Sequence, residues 1–247
     1  MDYYLLIVAF FFIAMIYSSV GFGGGSSYLA LMGTLALGFT VFRPIALLCN
    51  IVVVTSGTII FFRAGKINFR KVWPFIAMSV PMAFIGGYYP IRERTFFIIL
   101  GITLIVAALL LWFQKAIEEM KTTWRSDNTP LNIALGGGIG LLSGVVSIGG
   151  GIFLSPVLHL MKWDEAKRIS ALASFFILVN SISGLAGQIS QQADFDWSTT
   201  WPLLLAVFAG GQIGSRLGAQ RFNPITIKRV TAAVILAAGI NILRTHI

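Results

Sequence analysis

The feature that most constrains this chain is a series of long apolar segments with no carboxylate inside them. Each is long enough to cross a bilayer as a helix, which takes about 20 residues. Only 11% of the 247 residues are charged, against about a quarter in an ordinary soluble domain. The composition excludes a soluble enzyme and predicts an all-α polytopic membrane protein. The predicted spans are 44–62, 72–90, 95–113, 169–189, 198–215 and 225–243.

Two further apolar regions are broken by glycine triplets. Region 3–38 is interrupted at Gly23–Gly25, and region 131–161 is interrupted at Gly149–Gly151. We expect each region to fold as a helical hairpin. Backbone without hydrogen-bond partners is costly in hydrocarbon, so protein or a water-filled cavity must cover each break. The pattern leaves open whether these hairpins span the membrane fully or are re-entrant.

The two halves of the chain align with each other at an offset of 125–128 residues. We therefore predict a first transmembrane repeat at 1–113, a cytoplasmic linker at 114–130 and a second transmembrane repeat at 131–247. Each repeat would be a Gly-broken hairpin followed by three transmembrane helices. The aligned pairs are Val20–Gly25 with Val146–Gly151, Arg43–Leu47 with Arg168–Leu172, Val54–Ser56 with Val179–Ser181, Trp73-Pro74 with Trp201-Pro202, and Ile85-Gly86 with Ile213-Gly214.

The distribution of basic residues predicts that the repeats have inverted topology. Loop 63–71 carries four Lys and Arg residues, which places it in the cytoplasm by the positive-inside rule. Its counterpart, 190–200, has no Lys or Arg and two Asp residues, so it should face outside. Threading the chain from these loops puts both termini outside. The net charge of +9 is then a topological signal, and we expect no nucleic-acid partner.

The glycine triplets are also the predicted binding site. After each triplet the chain re-enters a helix, whose N-terminus carries free N–H groups and partial positive charge. Two such termini pointing inward would form an anion site near the midplane, as in transporters with inverted, Gly-interrupted repeats. The alternative is that the glycines only allow tight helix packing. The candidate residues are Gly23, Gly24, Gly25, Ser26, Asn50, Gly149, Gly150, Gly151, Asn180, Ser181 and Gln212.

Arg43 and Arg168 occupy equivalent positions in the two halves, each just before a span that carries polar residues. We expect them to draw anions into the two entrances. Ordinary anchoring at the membrane interface is an equally good interpretation.

Catalytic and cofactor sites are not indicated. The sequence has no nucleophile motif, no nucleotide-binding glycine motif and no acid inside a span, so we predict neither an enzyme, a metal site nor a cofactor. A core without fixed negative charge favours a small anion as cargo, with the lipid bilayer as the other partner.

The motifs resemble those of the sulfite exporter TauE/SafE family over nearly the whole chain. The resemblance implies a bacterial inner-membrane permease, usually an exporter, for sulfite or an organosulfonate, and we expect it to work by alternating access. A passive small-anion channel is the alternative. The sequence leaves open the substrate, the direction of transport, the coupling ion and the oligomeric state, for which a homodimer is one option. The resemblance rests on Val20–Gly25, Val146–Gly151, Arg168–Ala173, Asn180–Gly184 and Gly211–Gly218.

Overall fold

The computed structural model describes residues 3–33, 39–113, 128–191, 197–220 and 224–246. Most of the predicted linker, 114–127, lies outside the described residues. The described part is all α-helical, as predicted. Its helices are α1 (Tyr3–Ser18), α2 (Gly25–Gly33), α3 (Phe39–Arg63), α4 (Phe69–Tyr88), α5 (Glu93–Trp112), α6 (Thr129–Val146), α7 (Gly151–Leu160), α8 (Ala166–Ile189), α9 (Trp197–Gln220) and α10 (Pro224–His246).

The helix ends follow local sequence signals. Asn68 caps α4 by accepting a hydrogen bond from the N–H of Arg70 at 3.1 Å, and Asn128 caps α6 through the N–H of Leu131 at 3.2 Å. An Asn side chain at this position satisfies one of the free N–H groups of the first turn. Helix α4 ends just before Pro90, where the residue preceding a proline is restricted to extended backbone.

Four helices of the described chain are long and apolar enough to cross a membrane: α3 from Val41, α5, α6 and α8. The second arm of each broken hairpin is much shorter. Helix α2 has 9 residues and α7 has 10, which gives each a length of about 14–15 Å. Because the hydrocarbon core is about 30 Å thick, each second arm reaches only about half-way across.

The helix contacts occur in matched sets. Helix α1 packs against α9 as α6 packs against α4, and α2 lies on α3 as α7 lies on α8. The other large contacts correspond in the same way. Helix α3 packs against its own counterpart α8, and helix α5 packs against its own counterpart α10. The neighbours of each helix among the first five are therefore the sequence counterparts of the neighbours of its equivalent among the last five.

In the two pairs formed by a helix and its own counterpart, α3–α8 and α5–α10, the helices run antiparallel. In α3 and α8, Thr58 Oγ1 lies 3.4 Å from Ser174 Oγ, while Leu47 lies near Gly184 further along α8. In α5 and α10, the rings of Phe97 and His246 are 3.9 Å apart, whereas the later residues Leu104 and Ile105 approach the earlier residue Gly239. In each of these two pairs the sequence-equivalent helices therefore point in opposite directions.

Glycines at four-residue spacing bring α4 and α6 into backbone contact. A Cβ on Gly136, Gly140 or Gly144 would overlap the main chain of Phe75, Ser79 or Ala83, respectively. Small residues that recur every four positions allow helices to approach this closely. Close helix packing of this kind therefore occurs along this face of α6.

The outer surface is apolar, as a lipid-facing surface must be. Large aromatic side chains are exposed where spans begin or end: Tyr88 and Tyr89 after α4, Trp197 and Trp201 in α9, and Trp112 at the end of α5. Amphipathic aromatic rings are enriched at the two membrane–water interfaces.

Ion pairs join the loop after α3 to the loop after α7. Lys66 Nζ lies 2.9 Å from Glu165 Oε1, and Lys71 Nζ lies 2.9 Å from Asp164 Oδ2. Arg168 contacts both acids at 3.5 and 3.4 Å. The two loops therefore share one face of the protein.

Candidate functional site: two broken hairpins that meet at Asn50

The two breaks share left-handed residues at two equivalent positions and differ at a third, where Gly149 has a φ of 88° and its counterpart Gly23 is not left-handed. Gly21 and its counterpart Ser147 adopt left-handed φ values of 85° and 58°, and Gly24 and its counterpart Gly150 adopt 90° and 79°. The second arms begin at the equivalent residues Gly25 and Gly151. This places each helix start one residue earlier than the sequence indicated.

The hydrogen bonds of the two turns also correspond. The N–H of Phe22 donates to the carbonyl of Tyr17, and the N–H of Ile148 donates to the carbonyl of Ser143. The carbonyls of Gly24 and Gly150 each accept from two later N–H groups in α2 and α7. A left-handed residue costs a non-glycine side chain about 1–2 kcal/mol, so Ser147 is the strained member of the set.

Asn50 of α3 is the residue that joins the two breaks. Its Oδ1 accepts a hydrogen bond from the N–H of Gly25 at 2.9 Å, at the start of α2. Its Nδ2 donates to the carbonyl of Ile148 at 2.9 Å, inside the other break. The side chain is fully buried. Asn50 therefore contacts the start of α2 and the break before α7 with one side chain.

The triplets have no room for side chains. A Cβ on Gly23 or Gly25 would overlap the amide of Asn50, and a Cβ on Gly151 would overlap Ile177. Gly24 and Gly150 combine a positive φ with side chains 2.9 Å from an added Cβ, namely those of Tyr28 and Phe176. Glycine is required here for both conformation and space.

Polar groups of α8 and α6 surround the second break without being satisfied. Ser181 Oγ is buried without a hydrogen-bond partner among the described residues. It lies 2.9 Å from the position a Cβ on Gly149 would occupy, and Asn50 Nδ2 lies 3.3 Å from the same point. Ser143 of α6, beside Gly150, has a buried hydroxyl that also lacks a partner within the described chain.

Asn180 lies next to Ser181 and forms a hydrogen bond within its own helix. Its Nδ2 donates to the carbonyl of Phe176 one turn earlier at 2.8 Å, which leaves its buried Oδ1 without a partner in the part of the chain described. The neighbouring residues Phe176, Ile177 and Ser181 all contact the second triplet. Because residues three and four apart share a helix face, Asn180 lies on the face of α8 that covers this break.

Arg43 is buried within the protein. It is only 8% exposed, and its Nη2 donates to the carbonyl of Val145 at 3.1 Å. Its Nε donates to Ser147 Oγ at 3.4 Å, and its guanidinium lies over the ring of Phe96. The residue therefore contacts the second hairpin at its break.

Gln188 completes this cluster, and sequence reasoning passed over it. Its Nε2 donates to Ser147 Oγ at 2.8 Å, the same oxygen that Arg43 contacts. The sequence feature that could have identified Gln188 is a polar side chain inside an apolar helix, since a buried amide needs a hydrogen-bond partner.

Arg168, the counterpart of Arg43, lies at the surface. It is bound to Asp164 and Glu165 in the ion-pair loops. Burial raises the pKa of Asp164. Hydrogen bonds from Lys71 and from the N–H of Glu165, together with the charges of Lys71 and Arg168, lower the pKa by more than burial raises it. The result is a pKa below the usual value. The hydrogen bond and the charge of Lys66 likewise lower the pKa of Glu165.

The remaining predicted residues lie apart from the meeting point of the breaks. Ser26 is buried, and its Oγ lies 3.3 Å from the hydroxyl of Tyr17, which is 2.6 Å from Ser27 Oγ. Gln212 is half-buried in α9, and no described contact joins it to either break. Within the described residues, no three His, Cys, Asp or Glu side chains are grouped as a metal site would require.

Comparison with known proteins agrees with this architecture. The chain matches the family model of the sulfite exporter TauE/SafE over residues 6–242. It is 30% identical, over 96% of its own length and 97% of the relative, to a probable membrane transporter protein, y4hK, of Sinorhizobium fredii (strain NBRC 101917 / NGR234). No solved structure matches the chain. With apolar helices long enough to cross a membrane and this family match across nearly its whole length, the chain belongs to the TauE/SafE family and is a multi-pass membrane transporter.

Proposed function

We propose that this transporter moves a small sulfur-containing anion, such as sulfite or an organosulfonate, through a site where its two broken hairpins meet. The observation that carries the proposal is the position of Asn50. One side chain holds the start of α2 and the break before α7 together. The family match supports the substrate class, and the polar groups at the break support the location of the binding site.

The proposal includes inverted topology for the two repeats, 1–113 and 131–247. A twofold axis in the membrane plane makes equivalent helices antiparallel, whereas an axis along the membrane normal makes them parallel. The antiparallel pairs α3–α8 and α5–α10 support the first arrangement. The left-handed residues that the two breaks share at two equivalent positions support the repeat itself.

The chemistry around the breaks favours an anion. The groups that converge there include several donors, namely the first N–H groups of α7, the Nδ2 of Asn50 and the hydroxyl of Ser181, alongside one unpartnered acceptor, the Oδ1 of Asn180. The guanidinium of Arg43 lies just beyond, at Ser147. Helix N-termini and a cation attract negative charge most strongly where water is excluded. No carboxylate of the described residues lies in a predicted span to oppose them.

Alternating access fits the ion pairs between the loops after α3 and α7. These pairs hold the face that the basic residues mark as cytoplasmic, as expected for a state closed on that side. In this scheme, opening inward would separate Lys66 from Glu165 and Lys71 from Asp164.

Counterflow in proteoliposomes tests the proposal. Vesicles loaded with unlabelled sulfite and diluted into a trace of radiolabelled sulfite should accumulate label transiently and saturably. A carrier gives this overshoot because it exchanges one anion for another. Uptake equal to that of protein-free vesicles would refute the proposed substrate. Anion currents at channel rates without an overshoot would favour a passive channel instead.

A further inference from the structure

We propose that only the second break binds the transported anion, and that Gly149, Ser181 and Asn50 form a single oxyanion site at the start of α7. This inference rests on the proposed function and narrows it. The symmetric expectation was two helix N-termini sharing the anion. The side chains around the two breaks divide that role unequally.

The first break is already occupied by the protein's own groups. The leading N–H of α2, that of Gly25, is bound by Asn50 Oδ1. The hydroxyl of Tyr17 lies 2.6 Å from Ser27 Oγ and 3.3 Å from Ser26 Oγ. Asn50 therefore takes the place at α2 that an anion oxygen would take. The hydroxyl of Tyr28 is also buried without a partner among the described residues and lies 2.9 Å from the Cβ position of Gly24, but the leading N–H of α2 is already bound, and the Tyr28 ring is stacked on Phe10 at 4.5 Å.

The second break lacks these internal partners. Ser143 stands where the first hairpin has Tyr17, and Ile152-Phe153 stand where it has Ser26-Ser27. Among the described residues, no group accepts from the N–H of Gly151. A helix N-terminus alone would not identify a site. Ser181 adds the second observation, because its hydroxyl is fully buried, lacks a partner and lies 2.9 Å from the Cβ position of Gly149.

The position equivalent to Ser181 provides a matched contrast. Ser56 in α3 donates to the carbonyl of Val53 at 3.0 Å and is satisfied within its own helix. A buried polar group without a partner is costly, so the free hydroxyl of Ser181 marks a place where a ligand supplies the missing bond. The donors favour the oxygens of a compact oxyanion headgroup, such as that of sulfite or a sulfonate.

Binding to the purified transporter in detergent tests this inference. Titration calorimetry with sulfite and with methanesulfonate should give one site per chain. Ser181→Ala should weaken both affinities about tenfold, the effect of losing one hydrogen bond to a charged group. The control Ser56→Ala should change them less than about twofold, because its bond is internal to the helix.

Thermal unfolding separates loss of binding from loss of fold. Without ligand, Ser181→Ala should melt at or above the wild-type temperature, since it removes an unsatisfied hydroxyl. With sulfite, its stabilisation should be smaller than that of wild type. Two sites per chain, equal effects of the two Ala variants, or unchanged affinity in Ser181→Ala would overturn the single-site inference. Failure of wild type to bind sulfite or methanesulfonate would instead refute the proposed sulfur-anion substrate.

Discussion

Asn50 Nδ2 donates a hydrogen bond to the carbonyl of Ile148 at 2.9 Å, across 98 residues of sequence. The same side chain accepts from the N–H of Gly25 at 2.9 Å. Both backbone groups lie where a helix has been broken, so neither has a partner within a regular helix. A single amide thus satisfies one backbone group in each break and fixes the two hairpins against each other.

Replacing Asn50 with Leu should destabilise the protein. The N–H of Gly25 and the carbonyl of Ile148 would both be buried without partners, at a cost of about 1–3 kcal/mol each. The control is Thr55→Val in the same helix, where Thr55 Oγ1 bonds only to the carbonyl of Ile51. Thermal unfolding in detergent should show a clear drop for the Leu variant and little change for the control. Equal melting temperatures would show that Asn50 is not a structural link.

Two glycines of α6 should respond in opposite ways to Ala. At Gly140 an added Cβ would overlap the backbone of Ser79 in α4, which cannot move aside as a flexible side chain could. At Gly138 nothing lies within 4 Å, so Ala should be neutral or stabilise the helix by up to about 1 kcal/mol. We expect Gly140→Ala to lower the melting temperature and Gly138→Ala not to. The reverse order would contradict the packing of α4 on α6.

Single cysteines can test the inverted topology. In a Cys49→Ala background, which removes the natural buried cysteine, a cysteine at Ala64 or Gln191 would report the side of each loop. Both positions are exposed. A membrane-impermeant maleimide should label Gln191→Cys on intact cells and Ala64→Cys only after permeabilisation. Labelling of both from the same side would contradict inversion.

The ion pairs of Asp164 should stabilise the fold with a defined pH dependence. The pKa of this carboxyl is lower in the folded protein than its usual value, near 4 in an unfolded chain. The ionised form therefore favours folding above that value, and the contribution disappears as pH falls through the lowered pKa. Since the partners are partly exposed, we expect at most about 1 kcal/mol.

Comparison with Asp164→Asn isolates this effect. The difference in melting temperature between wild type and the variant should stay constant from about pH 8 to pH 5 and then shrink toward zero below about pH 4. A difference that grows as the pH falls would have the wrong sign.

Much of the fold follows from local sequence signals. The apolar segments predicted the long helices, because backbone in hydrocarbon must bond internally. The triplets predicted both breaks, since residues such as Gly24 and Gly150 adopt a positive φ that glycine tolerates best.

The side-chain arrangement of the site could not be predicted in the same way. Arg43 and Ser147 are 104 residues apart, and their contact depends on how α3 packs beside the second hairpin. The sequence made Arg43 and Arg168 look equivalent, yet one is buried and the other pairs with nearby acids. Only three-dimensional packing shows that Ser56 is satisfied while Ser181 is not.

Locating the bound anion tests the account most directly. Selenite is a close analogue of sulfite, and selenium scatters X-rays anomalously. Crystals of the transporter grown with selenite should show one anomalous peak per chain at the second break, within hydrogen-bond distance of Ser181 Oγ. A peak among Lys66, Lys71 and Arg168 at the loops, with none between the two triplets, would contradict an anion site where the hairpins meet.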